Sequence, residues 1–194
     1  MRDRDLVRLH WPPPLRQAFD ALLALDDRLA EVALGASQPA LGAIKLAWWR
    51  DSLAALDTAP PPAEPLLKQV AADLLPAGLG GAALAELPEA WMRLLEEGEE
   101  PDHRGRVLFG LLARLLQVEV AGGGAFSRAD LARRTGEQRW LEPREVRGRV
   151  PAPARPVTML DALGRRDASR QWPPEPEATP GRSWTLLRHR LTGR

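Results

Sequence analysis

The side chains able to do chemistry are few. Asp27 and Glu31 stand four positions apart in "LDDRLAEVAL", and on a helix that spacing puts both carboxylates on one face. Two such groups can share a divalent cation, or can simply form a solvated face; the solvated face is the expectation. Arg50 closes the run "LAWWR" and is followed by Asp51. Its planar fork of donors suits a phosphate, but the "WWRD" stretch is expected mainly to pack. Trp48 should join Leu41, Ile44 and Leu56 in one core, Trp49 should meet a second helix on an adjacent face, and Arg50 and Asp51 should cap or bridge neighbouring helices. His10, His103 and His189 are isolated and no pair has metal-ligand spacing. The chain has no cysteine, which removes thiolate zinc sites and a disulfide framework. "GLGG" and "GGG" lack the Lys-Ser/Thr of a phosphate-binding loop and read as breaks. The arginines of 128–149 have only Trp140 interleaved among them, so no nucleic-acid partner is expected.

These groups need helices to hold them. Leu and Ala carry most of the apolar volume, Tyr is absent and Phe occurs three times in 194 residues, so the composition points to an all-α chain. Pro12, Pro13 and Pro14 can open a helix whose apolar stripe runs over 15–34. Gly35 and Ser37 mark its end and the next start. Further helices are expected over about 38–57, 64–75, 82–98, 104–120, 126–139 and 156–170, and a short amphipathic one over "SWTLLRHRLTGR", 183–194. "AGGG" at 121–124 reads as a flexible break and "WPPEPEATPG" at 172–181 as an exposed linker. From about residue 140 prolines make the chain loop-rich. One domain over 1–194 is expected, with no repeat.

Charge is uneven. Residues 1–100 hold 9 basic and 16 acidic side chains, net −7, and residues 101–194 hold 18 and 10, net +8. An anionic partner for the second half would explain this; attraction between halves of one fold does so too and is the expectation. No apolar run is long enough to span a bilayer, and the charged start "MRDRDLVRLHW" has no signal-peptide h-region, so a cytoplasmic location is expected.

The stretch 21–56 resembles the N-terminal signature of the squalene/phytoene synthase family, "P-x-x-G-x-I-x-x-x-WWR-D-x-L", through Pro39, Gly42, Ile44, Trp48, Trp49, Arg50, Asp51 and Leu53. Weaker likeness continues through 103–116 and 155–167. The resemblance implies a single helical bundle of the isoprenoid synthase type, truncated. In the family's enzymes two aspartate clusters face each other across a cavity and hold Mg²⁺ against a prenyl diphosphate, whose leaving group the metal stabilises.

The chain departs from that pattern. At the first aspartate motif, "AEVAL" (30–34), Ala30 and Leu34 replace aspartates and Glu31 alone keeps a carboxylate, with Asp26 and Asp27 a turn earlier. The counterpart of the second motif is "DLARRTGEQ" (130–138): Asp130 stands for Asn, Arg133 and Glu137 are kept, and Arg134 and Gln138 replace aspartates. An arginine cannot bind Mg²⁺ and adds positive charge where the ion would sit. Asp27, Glu31, Arg50, Asp130, Arg133 and Glu137 are therefore the candidate remnant acidic and phosphate site, and no residue is assigned a catalytic or metal-binding role. Pro39, Gly42, Trp48, Trp49, Arg50 and Asp51 read as a structural signature.

The expectation is a family member that has lost condensation and binds a protein partner or an isoprenoid or lipid ligand. It resembles the subgroup that includes a mitochondrial assembly factor for respiratory complex I. No cofactor is then expected. The alternative is an active prenyl transferase with atypical acidic ligands, which would require Mg²⁺. A further expectation is weak association of 183–194 with a membrane surface, where Trp184, Leu186, Leu187 and Leu191 alternate with Arg182, Arg188, Arg190 and Arg194.

Overall fold

The computed structural model describes residues 1–97, 101–141, 148–170 and 172–194, and all regular structure among them is helical. The expected end of the 82–98 helix, with residues 99–100, and residues 142–147 of the expected loop lie outside the described residues. Contacts divide the chain into two compact units: residues 12–100, and residues 1–11 with 101–194.

The unit of 12–100 is built on α2 (Arg16–Leu34), entered through a 3-10 turn at Pro13–Leu15 where proline suits the first turn. Its buried stripe is Phe19, Leu22, Leu25, Asp26, Leu29 and Ala33. α3 (Pro39–Ala55) starts on Pro39, and α4 (Pro65–Asp73) packs on α2. The expected helix over 82–98 is two pieces, α5 (Gly81–Leu84) and α6 (Glu86–Glu97). Asp57 fixes the start of α5 by accepting from the backbone N–H of Gly81 at 2.6 Å and of Ala82 at 2.8 Å. These bonds favour the charged carboxylate and lower its pKa. The core is tied by Trp91 of α6, whose Nε1 donates to the buried Asp26 at 3.0 Å.

In the other unit, α1 (Asp3–Arg8) is a helix that the sequence pattern does not announce. α7 (Pro101–Leu116) buries Leu108, Phe109, Leu111, Leu112 and Leu115. It stops earlier than the apolar pattern through 120, at Gln117 with φ 54. α8 (Gly124–Thr135), α9 (Arg155–Ala168) and α10 (Pro180–Thr192) complete the unit. Gly136, at φ 72, ends α8 ahead of the expected 139.

The expectation of a flexible break at 121–124 is corrected. A Cβ on Gly105 would lie 2.0 Å from the carbonyl oxygen of Gly123, and one on Gly123 would lie 2.1 Å from that of Gly105. The glycines are a close backbone crossing of α7 and the start of α8, and Gly123 also needs φ +96. Asp161 of α9 holds the same corner by accepting from Gly123 N–H at 3.0 Å and Phe126 N–H at 3.1 Å. The reading of 172–181 as an exposed linker is corrected too. Glu175 takes the Arg166 guanidinium at 2.7 Å, its carbonyl accepts from Arg133 at 2.8 Å, and Ala178 N–H donates to Asp3 at 2.9 Å. Bonding between irregular backbone and helix side chains carries no periodic signal, so proline content alone misread it.

Arg182 of α10 is the hub of this unit. It is 3% exposed and donates through Nε to Asp3 at 2.8 Å and through a second nitrogen to Asp167 of α9. Farther along α10, His189 is fully buried and its Nε2 lies 2.8 Å from the Thr158 hydroxyl of α9. Arg155 donates to the carbonyls of Arg190 at 3.1 Å and Leu191 at 2.8 Å, positive charge at a helix C-terminus.

Candidate functional site

The six candidate residues fall into the two units. In residues 12–100, Glu31 of α2 is exposed and bonds Arg28 at 3.0 Å, and Asp27, half-buried, lies one turn before it. Arg50 of α3 bonds its neighbour Asp51 at 2.8 Å on the surface. That corrects the expectation that the two cap or bridge other helices.

In the other unit, Asp130 accepts from Arg104 at 2.7 Å and takes Arg134 Nε on both oxygens at 2.9 Å. Arg104 is fully buried, with Ser127 Oγ at 3.5 Å and the Phe126 ring 5.7 Å away. Arg133, one turn from Asp130, turns instead to Asp167 at 3.0 Å. Glu137 lies beyond the end of α8, exposed, and accepts from Arg139 and from Trp140 Nε1 at 3.1 Å. So the resemblance's second acidic motif is spread over three separate arginine partnerships. Among the described residues no group of three or more His, Cys, Asp or Glu side chains could hold a metal ion.

The "WWRD" helix behaves differently from the expectation for Trp48. α3 meets α2, α5 and α6 along one side, formed by Gly42, Leu46, Trp49 and Leu53. Trp49 is 3% exposed, as a core residue should be. Gly42 lets α3 close in: a Cβ there would sit 3.2 Å from Ala36 Cβ and from Leu95 Cδ1. About 100° around the helix, Trp48 is 48% exposed, and Leu41 and Ile44 lie open on the same stripe. The expected common core of Trp48 with Leu41 and Ile44 is therefore absent; of that group only Leu56 is buried. Neighbours cover one side of α3 rather than two, which leaves an apolar ridge uncovered. The two indoles meet edge to face with centroids 5.4 Å apart. They line a cleft of about 320 Å³ with Arg28, Glu31, Val32 and Lys45. Glu31 is thus the candidate carboxylate that shares a concavity with the tryptophan pair, while Arg50 is not among its lining residues.

A larger cleft, about 660 Å³, lies in the other unit between α9 and α10. Its arginines include Arg165 and Arg166 of α9 and Arg170 just past its end, which sequence reasoning missed because their convergence depends on how α10 packs against α9. The signal that existed was the spacing of Arg166 and Arg170, one helical turn apart in "RRDASR". No family model, curated protein or solved structure matches the chain.

Proposed function

We propose that this chain is a squalene/phytoene synthase-like protein that has lost prenyl diphosphate condensation and acts by binding. The observation that carries the reading is the state of Asp130. The carboxylate that would serve the second metal cluster is enclosed by two guanidiniums, one of them from the arginine that replaces a family aspartate. A cation brought there meets positive charge and an oxygen pair already satisfied. The binding surface in this reading is the α3 ridge of Leu41, Ile44 and Trp48 beside the tryptophan-lined cleft, which suits a protein partner or the hydrocarbon of an isoprenoid. A row of large apolar side chains left open costs solubility and marks an interaction site. In this reading the protein works in the cytoplasm and meets the inner membrane at its surface. Among the described residues no helix is long and apolar enough to cross a membrane.

Thermal unfolding with a non-hydrolysable prenyl diphosphate analogue, with and without Mg²⁺, tests this. A ligand at 100 times its Kd adds about 2.7 kcal/mol of apparent stability. A midpoint raised equally with and without Mg²⁺ is the outcome for an isoprenoid-binding protein. No rise in either condition directs the search to protein partners, captured by wild type and released by Trp48→Glu. A rise that depends on Mg²⁺ would overturn the reading in favour of a prenyl transferase.

A further inference from the structure

The cleft between α9 and α10 is lined by Arg165, Arg166, Arg170, Arg188 and Arg194, with Trp184 at its side and no carboxylate side chain among the described residues that line it. Two of these charges are spent: Arg165 pairs with Asp161 and Arg166 with Glu175. Arg170, Arg188 and Arg194 make no ion pair among the described residues. Three guanidiniums around one concavity give it a positive potential that favours an anion, because each adds charge that no described neighbour neutralises.

The outer face of α10 continues from that cleft. Trp184, Leu187 and Leu191 are spaced three and four apart and are 65%, 43% and 65% exposed. They form one apolar ridge about 10 Å long, at 1.5 Å per residue. The opposite face is fixed by Arg182, Leu186 and His189, all buried. The helix is thus locked from behind, and its ridge and arginines are presented together without an ordering step.

We propose that this face docks on a membrane surface rich in anionic phospholipid, with a phosphate headgroup in the arginine cleft and the α10 ridge in the acyl boundary. The proposal rests on the reading that brings the chain to a membrane surface, and it supplies that reading with a site and a lipid class. Charge complementarity selects the occupant. A soluble phosphate would use the arginines but leave the ridge wet, and a neutral bilayer would use the ridge but leave three guanidiniums unpaired. A headgroup joined to acyl chains engages both.

Co-sedimentation with vesicles decides it. The full chain should bind vesicles of phosphatidylglycerol mixed with phosphatidylcholine and not vesicles of phosphatidylcholine alone, and binding should fall as salt rises. Arg170→Gln/Arg188→Gln/Arg194→Gln should weaken the partition about 100-fold, since each basic residue near such a surface contributes roughly 1 kcal/mol, about fivefold. Leu187→Glu/Leu191→Glu, both exposed, should abolish binding with unchanged helical circular dichroism. Absence of binding to anionic vesicles at low salt overturns the proposal. So does binding that ignores both variants. Inorganic pyrophosphate bound by the wild type, and not by the triple variant, with no vesicle binding would assign the cleft to a free anion and overturn the lipid source. The prenyl-analogue melt is repeated on the triple arginine variant, so that a midpoint rise which survives there is read apart from the cleft and stands whatever the vesicles show.

Discussion

Replacing Arg182 with Met should be among the most damaging single changes available in this chain. The guanidinium is 3% exposed and lies between two carboxylates, with Asp3 at 2.7 Å and Asp167 on its other side, their side chains 5% and 3% exposed. A pair at that separation attracts by about 6 kcal/mol at an effective dielectric of about 20, and desolvation of the charges offsets much of this. Taking away one partner does not return the desolvation of the other, so the expected loss is about 3–5 kcal/mol. Asp167 retains Arg133 at 3.0 Å and Asp3 retains Ala178 N–H at 2.9 Å, which keeps the loss from doubling. With a urea slope of about 2 kcal/mol per molar, the transition of the unit carrying α10 should move down by about 2 M, read by circular dichroism. Asp3→Asn/Asp167→Asn/Arg182→Met removes the three charges together and should recover at least half of the shift. A midpoint change below about 0.5 M for Arg182→Met, or a triple variant weaker than the single one, would refute the argument that the cluster is held by mutual compensation.

The adjacent tryptophans should part company in stability. Trp49→Ala should cost about 3–5 kcal/mol, as for a fully packed aromatic, and Trp48→Ala far less; equal midpoints in urea would sink the placement of the ridge. His189 gives a pH signature. Burial first, then the charges of Arg165 and Arg155, lower its pKa from 6.5 to about 4. The unfolded chain takes up the proton at higher pH than the folded one, so the stabilising term is complete above pH 6.5 and is lost as pH falls towards 4. The total is on the order of 3 kcal/mol. His189→Gln should flatten the profile of urea midpoints across that window, and identical slopes in the two proteins would count against it.

The helices were legible because they are written in local chemistry. Proline near a first turn announced α2, whose apolar stripe gave its course, and the apolar run of α7 placed that helix within a few residues; Ser37, expected to cap α3, yields that position to Gln38. What was not legible depends on partners distant in sequence. Trp48 and Trp49 have the same type and the same neighbours, and only the placement of α2, α5 and α6 decides which is buried. Gly105 and Gly123 look like a helix defect and a break until their backbones are seen crossing. Asp130 reads as a candidate ligand from its own motif, and it takes Arg104, 26 positions upstream, to show that its oxygens are engaged. α1 escaped notice because it is short and charged, and because its Asp3 finds its partner 179 positions away.

That last distance bears on how the protein is made. Residues 12–100 have their own core and interrupt, in sequence, a unit whose first piece is residues 1–11. Asp3 has no Arg182 to bind until nearly the whole chain has been synthesised, on the order of ten seconds or more later at ordinary translation speed. The first helix therefore lacks the Arg182 contact for most of the time the chain is being made, and α10 supplies it last. One buried arginine thus makes the start of the chain depend on the last helix to be synthesised.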